Sequence, residues 1–148
     1  GDFVVVSAPR DGLPELTSQG GVTLRVGNQK PARMKPPSNV MERMKGETLS
    51  VCIHDASRTA LATNPHGNIV TVWDLDRMKL KTTLEIEFPR GVTLSLDRET
   101  FIITHGTSGN ITHVSTHDLS TKTSAMGLFS GSHVYAWKKP RASASPEV

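Results

Sequence analysis

The stretch HGNIVTVWDLD, from His66 to Asp76, is echoed forty-two positions later by SGNITHVSTHD, from Ser108 to Asp118, with the same Gly-Asn-Ile opening and the same closing Asp. Working outward from the first copy, the chain reads TLSVCIHD (Thr48–Asp55), RTALATNPHG (Arg58–Gly67), NIVTVWDLD (Asn68–Asp76) and KLKTTLEIEF (Lys79–Phe88). Each run is rich in Val, Ile, Leu and Thr, whose branched side chains pack well on a pleated surface. Between the runs stand turn formers: Asp55-Ala56-Ser57, Asn64-Pro65-His66-Gly67 and Asp74-Leu75-Asp76. Four short strands with turns between them are therefore expected from Thr48 to Phe88. The second copy repeats the plan as GVTLSLD (Gly91–Asp97), ETFIITHGTSG (Glu99–Gly109), NITHVSTHD (Asn110–Asp118) and KTSAMGLF (Lys122–Phe129).

The offset of forty-two sets Gly67 against Gly109, Asn68 against Asn110, Ile69 against Ile111, Val72 against Val114, Asp76 against Asp118 and Leu84 against Met126. A period of this length with four strands per period, and Trp73-Asp74 closing a third strand, is the pattern of a β-propeller blade. A two-sheet sandwich spaces its strands similarly but has no reason to repeat as a unit. The expected fold is all-β, a partial propeller of four-stranded blades with one short helix. Its divisions are a partial blade over 1–47, blades over 48–88 and 89–129, a closing strand over 132–137 that ends the propeller segment 1–137, and a flexible tail over 138–148.

The opening third is less regular. Phe3 to Ser7 and Gly21 to Val26 read as strands joined by the polar loop Ala8 to Gly20. Ser38 is placed to cap a short helix with Val40, Met41 and Met44 on one face, stopped by Gly46. Near the end, Val134 and Ala136 alternate with His133, Tyr135 and Trp137 as in one more strand. A ring needs roughly four or more blades, so this set exposes apolar flanks. The expected partner is a protein or a second copy of the chain that completes the propeller, giving a homo-oligomer. The chain opens on Gly1 rather than Met, as a processed or excised segment of a longer protein would.

Composition narrows the class. The net charge is +3 and the two Trp, one Tyr and four Phe are not interleaved with a basic stripe, which argues against nucleic-acid binding. Lys138, Lys139 and Arg141 read as a solvated end. Cys52 is the single cysteine, so neither an intramolecular disulfide nor a multi-cysteine metal site can form. No apolar run approaches the about 18 residues of a membrane-spanning helix, and no signal-peptide pattern opens the chain.

Six histidines invite a metal reading: His54, His66, His105, His113, His117 and His133. Neutral imidazole is a common ligand, and His105, His113 and His117 are the metal candidates. On an extended strand, however, His113 and His117 lie ~13 Å apart and need another strand or a bulge to share an ion. His105, His113 and His133 with Arg90 are the candidate binding residues. Asp55, Asp74, Asp76, Asp97 and Asp118 end strands, where a carboxylate accepts nearby backbone N–H groups. Glu85 and Glu87 place charge on an outer edge, which discourages edge pairing. Cys52 has only His54 nearby, there is no Gly-x-Ser-x-Gly elbow, and Gly106 to Gly109 lacks the Lys and helix of a phosphate cradle. No catalytic residue and no cofactor are assigned.

The segments FVVVSAPRDGLPELTSQGGVTLRV (Phe3–Val26), VMERMKGETLSVCIHDASRTALATNPHGNIVTVWDLDRMKL (Val40–Leu80), FPRGVTLS (Phe88–Ser95) and SGSHVYAW (Ser130–Trp137) together resemble the bacterial propeller family catalogued as domain of unknown function 1513. The resemblance covers the chain up to Trp137, corresponds to the C-terminal part of a family member, and departs from the family at Asn64-Pro65-His66 and in a shortened ending. It implies a periplasmic protein with an accessory role in iron or redox traffic, because the family's genes often neighbour those of imelysin-like iron-uptake proteins and a di-haem oxidoreductase. The functional expectation is a binding or assembly module that uses the channel mouth or the Ala8 to Gly20 loop. The alternative is a metal-dependent propeller enzyme, a hydrolase or oxidoreductase, with part of its site outside this chain.

Overall fold

A computed structural model of the chain describes residues 1–10, 17–125, 127, 129 and 133–139. The first sheet has three strands, β1 (Phe3–Ser7), β2 (Gly21–Arg25) and β3 (Ala32–Arg33). A single helical turn, α1 (Ser38–Met41), leads to the second sheet of β4 (Val51–His54), β5 (Thr59–Asn64), β6 (Ile69–Asp74) and β7 (Lys79–Glu85). The third comprises β8 (Pro89–Leu94), β9 (Thr100–His105), β10 (Asn110–Ser115) and β11 (Thr121–Ala125). Every sheet is an antiparallel meander whose strands neighbour one another in chain order. This is an all-β chain of propeller-type blades.

Ser38 does not cap α1. The cap position is Pro37, in an extended conformation and without a side-chain bond, and Ser38 is the first helical residue. Proline's fixed φ sets the entry of the turn, so no hydroxyl cap is used.

The backbone corrects the repeat by one residue. The turn after β5 closes on the pair Asn64↔Ile69, and the turn after β9 closes on His105↔Asn110, an offset of forty-one. Thr59↔Asp74 and Thr100↔Ser115 give the same offset. Side chains alternate faces along a strand, so a slip of one exchanges the faces. Val72 and Val114 are therefore not equivalent; the counterpart of Val114 is Trp73, and that of His105 is Asn64. The Gly-Asn-Ile echo misleads because the left-handed position is Asn68 (φ 52°) in one turn and Gly109 (φ 68°) in the other. Asn tolerates that conformation and Gly adopts it freely.

Two apolar layers follow. Between the first and second sheets lie Val22, Leu24, Met44, Ala62, Ile69 and Trp73; between the second and third lie Leu61, Val70, Val72, Phe101, Ile103 and Val114. Covered on both faces, β5 is buried along its whole length. The Trp73 indole is fully buried, and its Nε1 donates to Thr71 Oγ1 at 2.9 Å.

β8 is attached by hydroxyls. Its register shifts between Pro89 and Val92. There the Arg90 carbonyl accepts from Thr63 Oγ1 (2.7 Å), and the N–H groups of Gly91 and Val92 donate to Thr104 Oγ1 (3.1 Å) and Ser50 Oγ (3.3 Å). Side chains thus satisfy backbone groups that the ladder leaves over.

The expected closing strand does not pair. Residues 133–139 belong to no strand; Val134 and Ala136 are half-buried, while His133, Tyr135 and Trp137 are exposed. Residues 11–16 of the expected Ala8 to Gly20 loop, residues 126, 128 and 130–132, and the tail beyond Lys139 lie outside the described residues.

Candidate functional site: the His105 cleft

β9 ends on His105 and turns through Gly106, whose N–H reaches the carbonyls of Glu87 (3.1 Å) and Phe88 (3.2 Å). The crossing from the second sheet to the third is held from the other side as well, since the Phe88 N–H donates to Asn68 Oδ1 at 2.9 Å. Between this crossing and the strands behind it opens a cleft of about 280 Å³, lined by Thr83, Leu84, Glu85, Ile86, Glu87, His105, Thr112, Thr121 and Thr123.

His105 is 8% exposed and stands on the face of β9 that meets the second sheet. Its Nε2 lies 2.9 Å from Thr112 Oγ1, which lies 2.6 Å from Thr123 Oγ1. Its Nδ1 is buried and makes no hydrogen bond. Burial lowers the imidazole pKa below its ordinary value, opposed in part by the nearby Glu87 carbonyl and carboxylate. The lowered pKa favours the neutral ring, in which one nitrogen carries the proton and the other can accept a hydrogen bond.

At the rim, both Glu85 oxygens accept from the Arg43 guanidinium at 2.7 Å, which lowers the Glu85 pKa. The cleft therefore offers hydroxyls, a neutral imidazole and carboxylates. Such a set hydrogen-bonds a small ligand that carries hydroxyl or amine donors. Among the described residues no Ser or Cys nucleophile lines it. Cys52 lies elsewhere, and burial raises its thiol pKa, which disfavours the reactive thiolate.

The proposed metal trio is not assembled. His105 sits opposite Asn110, so Thr112 and Val114 share its face and His113 is exposed on the other face of β10, paired with Lys122 and Ile102. His117 follows β10 at the far end, bonded to Glu99 Oε2 at 2.5 Å, in a separate cleft of about 260 Å³ with His54 and Ser57. Among the described residues no three His, Cys, Asp or Glu side chains gather in a way that could hold an ion. His133 is exposed outside the strands. Arg90 lies on β8 with its guanidinium carbon 5.3 Å from the Phe88 ring centre and a buried Nε without a partner; the His66 ring meets the same phenyl edge-on at 6.1 Å.

The aspartates divide into two kinds. Asp74, Asp97 and Asp118 accept the N–H two residues on, at 3.0 Å each, and Asp118 falls to a pKa of about 2. Asp55 and Asp76 instead grip Arg58 at 2.9 Å, with Asp2 at 3.4 Å. Sequence reasoning treated Ser50, Thr63, Thr104, Thr112 and Thr123 only as strand formers and missed their bonds. The one available signal was Thr63 and Thr104 standing among the aliphatic residues of β5 and β9; nothing comparable marked Ser50 or Thr123.

The family described as "Protein of unknown function (DUF1513)" matches residues 4–136. No curated protein matches the chain. Among solved structures, hydrazine synthase of Kuenenia stuttgartiensis superposes with a TM-score of 0.62 at 14% identity, over 76% of this chain and 32% of that one. A chain of a nidogen/laminin complex superposes with a TM-score of 0.52 at 13% identity, over 76% and 43%. Both are propeller-type proteins, and at this identity the likeness is one of fold. The chain spans less than half the length of either. The match of the family over nearly the whole chain, with the blade architecture beneath it, places the chain in the DUF1513 family of β-propeller proteins.

Proposed function

We propose that the chain is a non-catalytic binding and assembly module of a periplasmic propeller, accessory to iron or redox traffic. The periplasmic setting and the iron or redox role follow from the family resemblance alone. The assembly role is carried by one observation: a three-stranded sheet open at β1 coexists with an unpaired strand-like segment. β1 pairs only with β2 among the described residues and exposes Phe3 (37%) and Val5 (49%), while Tyr135 and Trp137 are each 77% exposed. Open edges recruit strands, and exposed aromatics favour burial. Residues 133–137 of one copy would complete the first sheet of another.

Tryptophan emission tests this, because Trp73 is already fully buried and any change reports on Trp137. The expected result is a blue shift as concentration rises, abolished by Tyr135→Ser, which keeps the Trp137 reporter. Emission independent of concentration would overturn the assembly reading.

Ligand binding is assigned to the His105 cleft on the strength of the unsatisfied Nδ1 and the three-member hydroxyl–imidazole chain. Titration with glycerol, putrescine and Fe(II) in turn, followed through the His105 ring resonances, is expected to move those signals with a polyol or amine. Stoichiometric iron or zinc in the purified protein would favour the metal-dependent enzyme instead.

A further inference from the structure

We propose a second binding site, for a small carboxylate bearing an apolar tail, in the cleft between the β1–β2 hairpin and α1. Two adjoining cavities form it. One, of about 340 Å³, is floored by Met34, Met41 and Met44 beside Pro36. The other, of about 420 Å³, is lined by Ser7, Arg10, Ser18 and Thr23. They share Gln19, Gly21 and Arg33, so a single ligand can reach both.

Each end matches one part of such a ligand. Met34 and Met44 are 4% and 3% exposed, and flexible, polarizable thioethers adapt to an aliphatic or aromatic tail. Among the described residues Arg33 is held by one bond, Nη2 to the Gly20 carbonyl at 3.3 Å, which orients the guanidinium while leaving its other donors available. Among the described residues neither Arg33 nor Arg10 forms an ion pair, and no carboxylate side chain lines either cavity. A planar guanidinium facing hydroxyls takes a carboxylate through paired charge-assisted bonds.

Gly21 keeps the neck between the cavities open. A Cβ on Gly21 would stand 3.3 Å from both Arg33 Nε and Ser7 Oγ, inside the passage. Gly20 cannot carry one at all, since it would lie 2.4 Å from the Thr48 nitrogen and 2.6 Å from the Ser7 carbonyl. This site shares no residue with the His105 cleft, so either can fail without the other.

The test is titration of the protein with octanoate, acetate and octanol, read by calorimetry and by the methionine methyl resonances. Octanoate is expected to bind about tenfold or more tightly than either fragment, as a charged hydrogen bond adds to tail burial. The Met34, Met41 and Met44 methyls should shift and Met78 should not. Arg33→Gln should weaken octanoate by about tenfold and leave octanol unchanged. Arg10→Gln, at an exposed side chain whose loss does not threaten folding, should weaken octanoate by a smaller factor. Equal affinity for octanoate and octanol, still methionine methyls, or octanoate binding indifferent to both arginine variants would overturn the proposal.

Discussion

The second and third sheets are built on one plan and differ in what covers them. In the second, β5 is wholly buried and β6 nearly so, because the first sheet covers one face and the third the other. In the third, Phe101, Ile103 and Val114 face inward, but every residue of β11 is exposed and so is His113. The enclosed sheet holds Asn64 and Trp73 at the positions where the open one holds His105 and Val114. Fully buried Asn64 gives its amide to Thr48 Oγ1 at 2.9 Å, whereas His105 lines a cleft. A repeat thus supplies scaffold where it is enclosed and an open cleft where it is not.

Truncating the equivalent residues breaks this comparison most strongly. Trp73→Ala should cost about 3–5 kcal/mol, since a large buried side chain is lost and a cavity remains. Val114→Ala should cost about 2 kcal/mol, from two methyl groups at most. Urea denaturation of both measures the gap, and equal losses would mean that the two inter-sheet layers are equally packed.

The left-handed turn positions come next. Gly109→Ala should destabilise by more than about 1 kcal/mol, because a Cβ there would lie 1.9 Å from the Gly127 carbonyl oxygen at a φ of 68°. Asn68→Gly should fall within a few tenths of a kcal/mol for the backbone alone, with the lost acceptor for Phe88 adding up to about 1 kcal/mol. Thermal melts compare them.

His105→Asn imports the residue of the first unit and sharpens the comparison by pH. Burial lowers the His105 pKa in the folded state, so its contribution is fully present above the ordinary histidine pKa of about 6.5 and is lost as pH falls through and below it. The variant should flatten the stability profile below about pH 6.5. It should leave the steeper loss below about pH 4, where Asp74, Glu85 and Asp118, all with lowered pKa values, take up protons.

The smallest effect belongs to the rim. Arg43→Gln removes the pair with Glu85, but both groups are largely exposed, at 41% and 68%, and the pair is expected to contribute no more than about 0.5 kcal/mol. Denaturation in low and high salt checks it.

The sequence displays most of its strands plainly because Val, Ile, Leu and Thr runs alternate with Asp, Asn and Gly turns; the exception is the turn at Ile86-Glu87-Phe88, which has none of those residues and falls inside the run Lys79–Phe88 expected as one strand, while Pro89 and Arg90 belong to β8. It hides the register, because Asn68 and Gly109 do the same backbone work with different side chains, and a shared Gly-Asn-Ile string outweighs that equivalence by eye. The site was legible in part. His105 is visible as a histidine at a strand end, but its burial depends on the neighbouring sheet, and its separation from His113 depends on a one-residue parity. The hydroxyl contacts of Ser50, Thr63 and Thr104 were hidden because Thr is common in strands for steric reasons alone.

The mass of the chain in solution tests the central claim, that an open sheet and an unpaired segment make this chain an assembly module. Light scattering across a concentration series is predicted to give the mass of two or more copies at high concentration, falling to that of one copy when Tyr135 and Trp137 are both replaced by Ser. A monodisperse single copy at every concentration would contradict it.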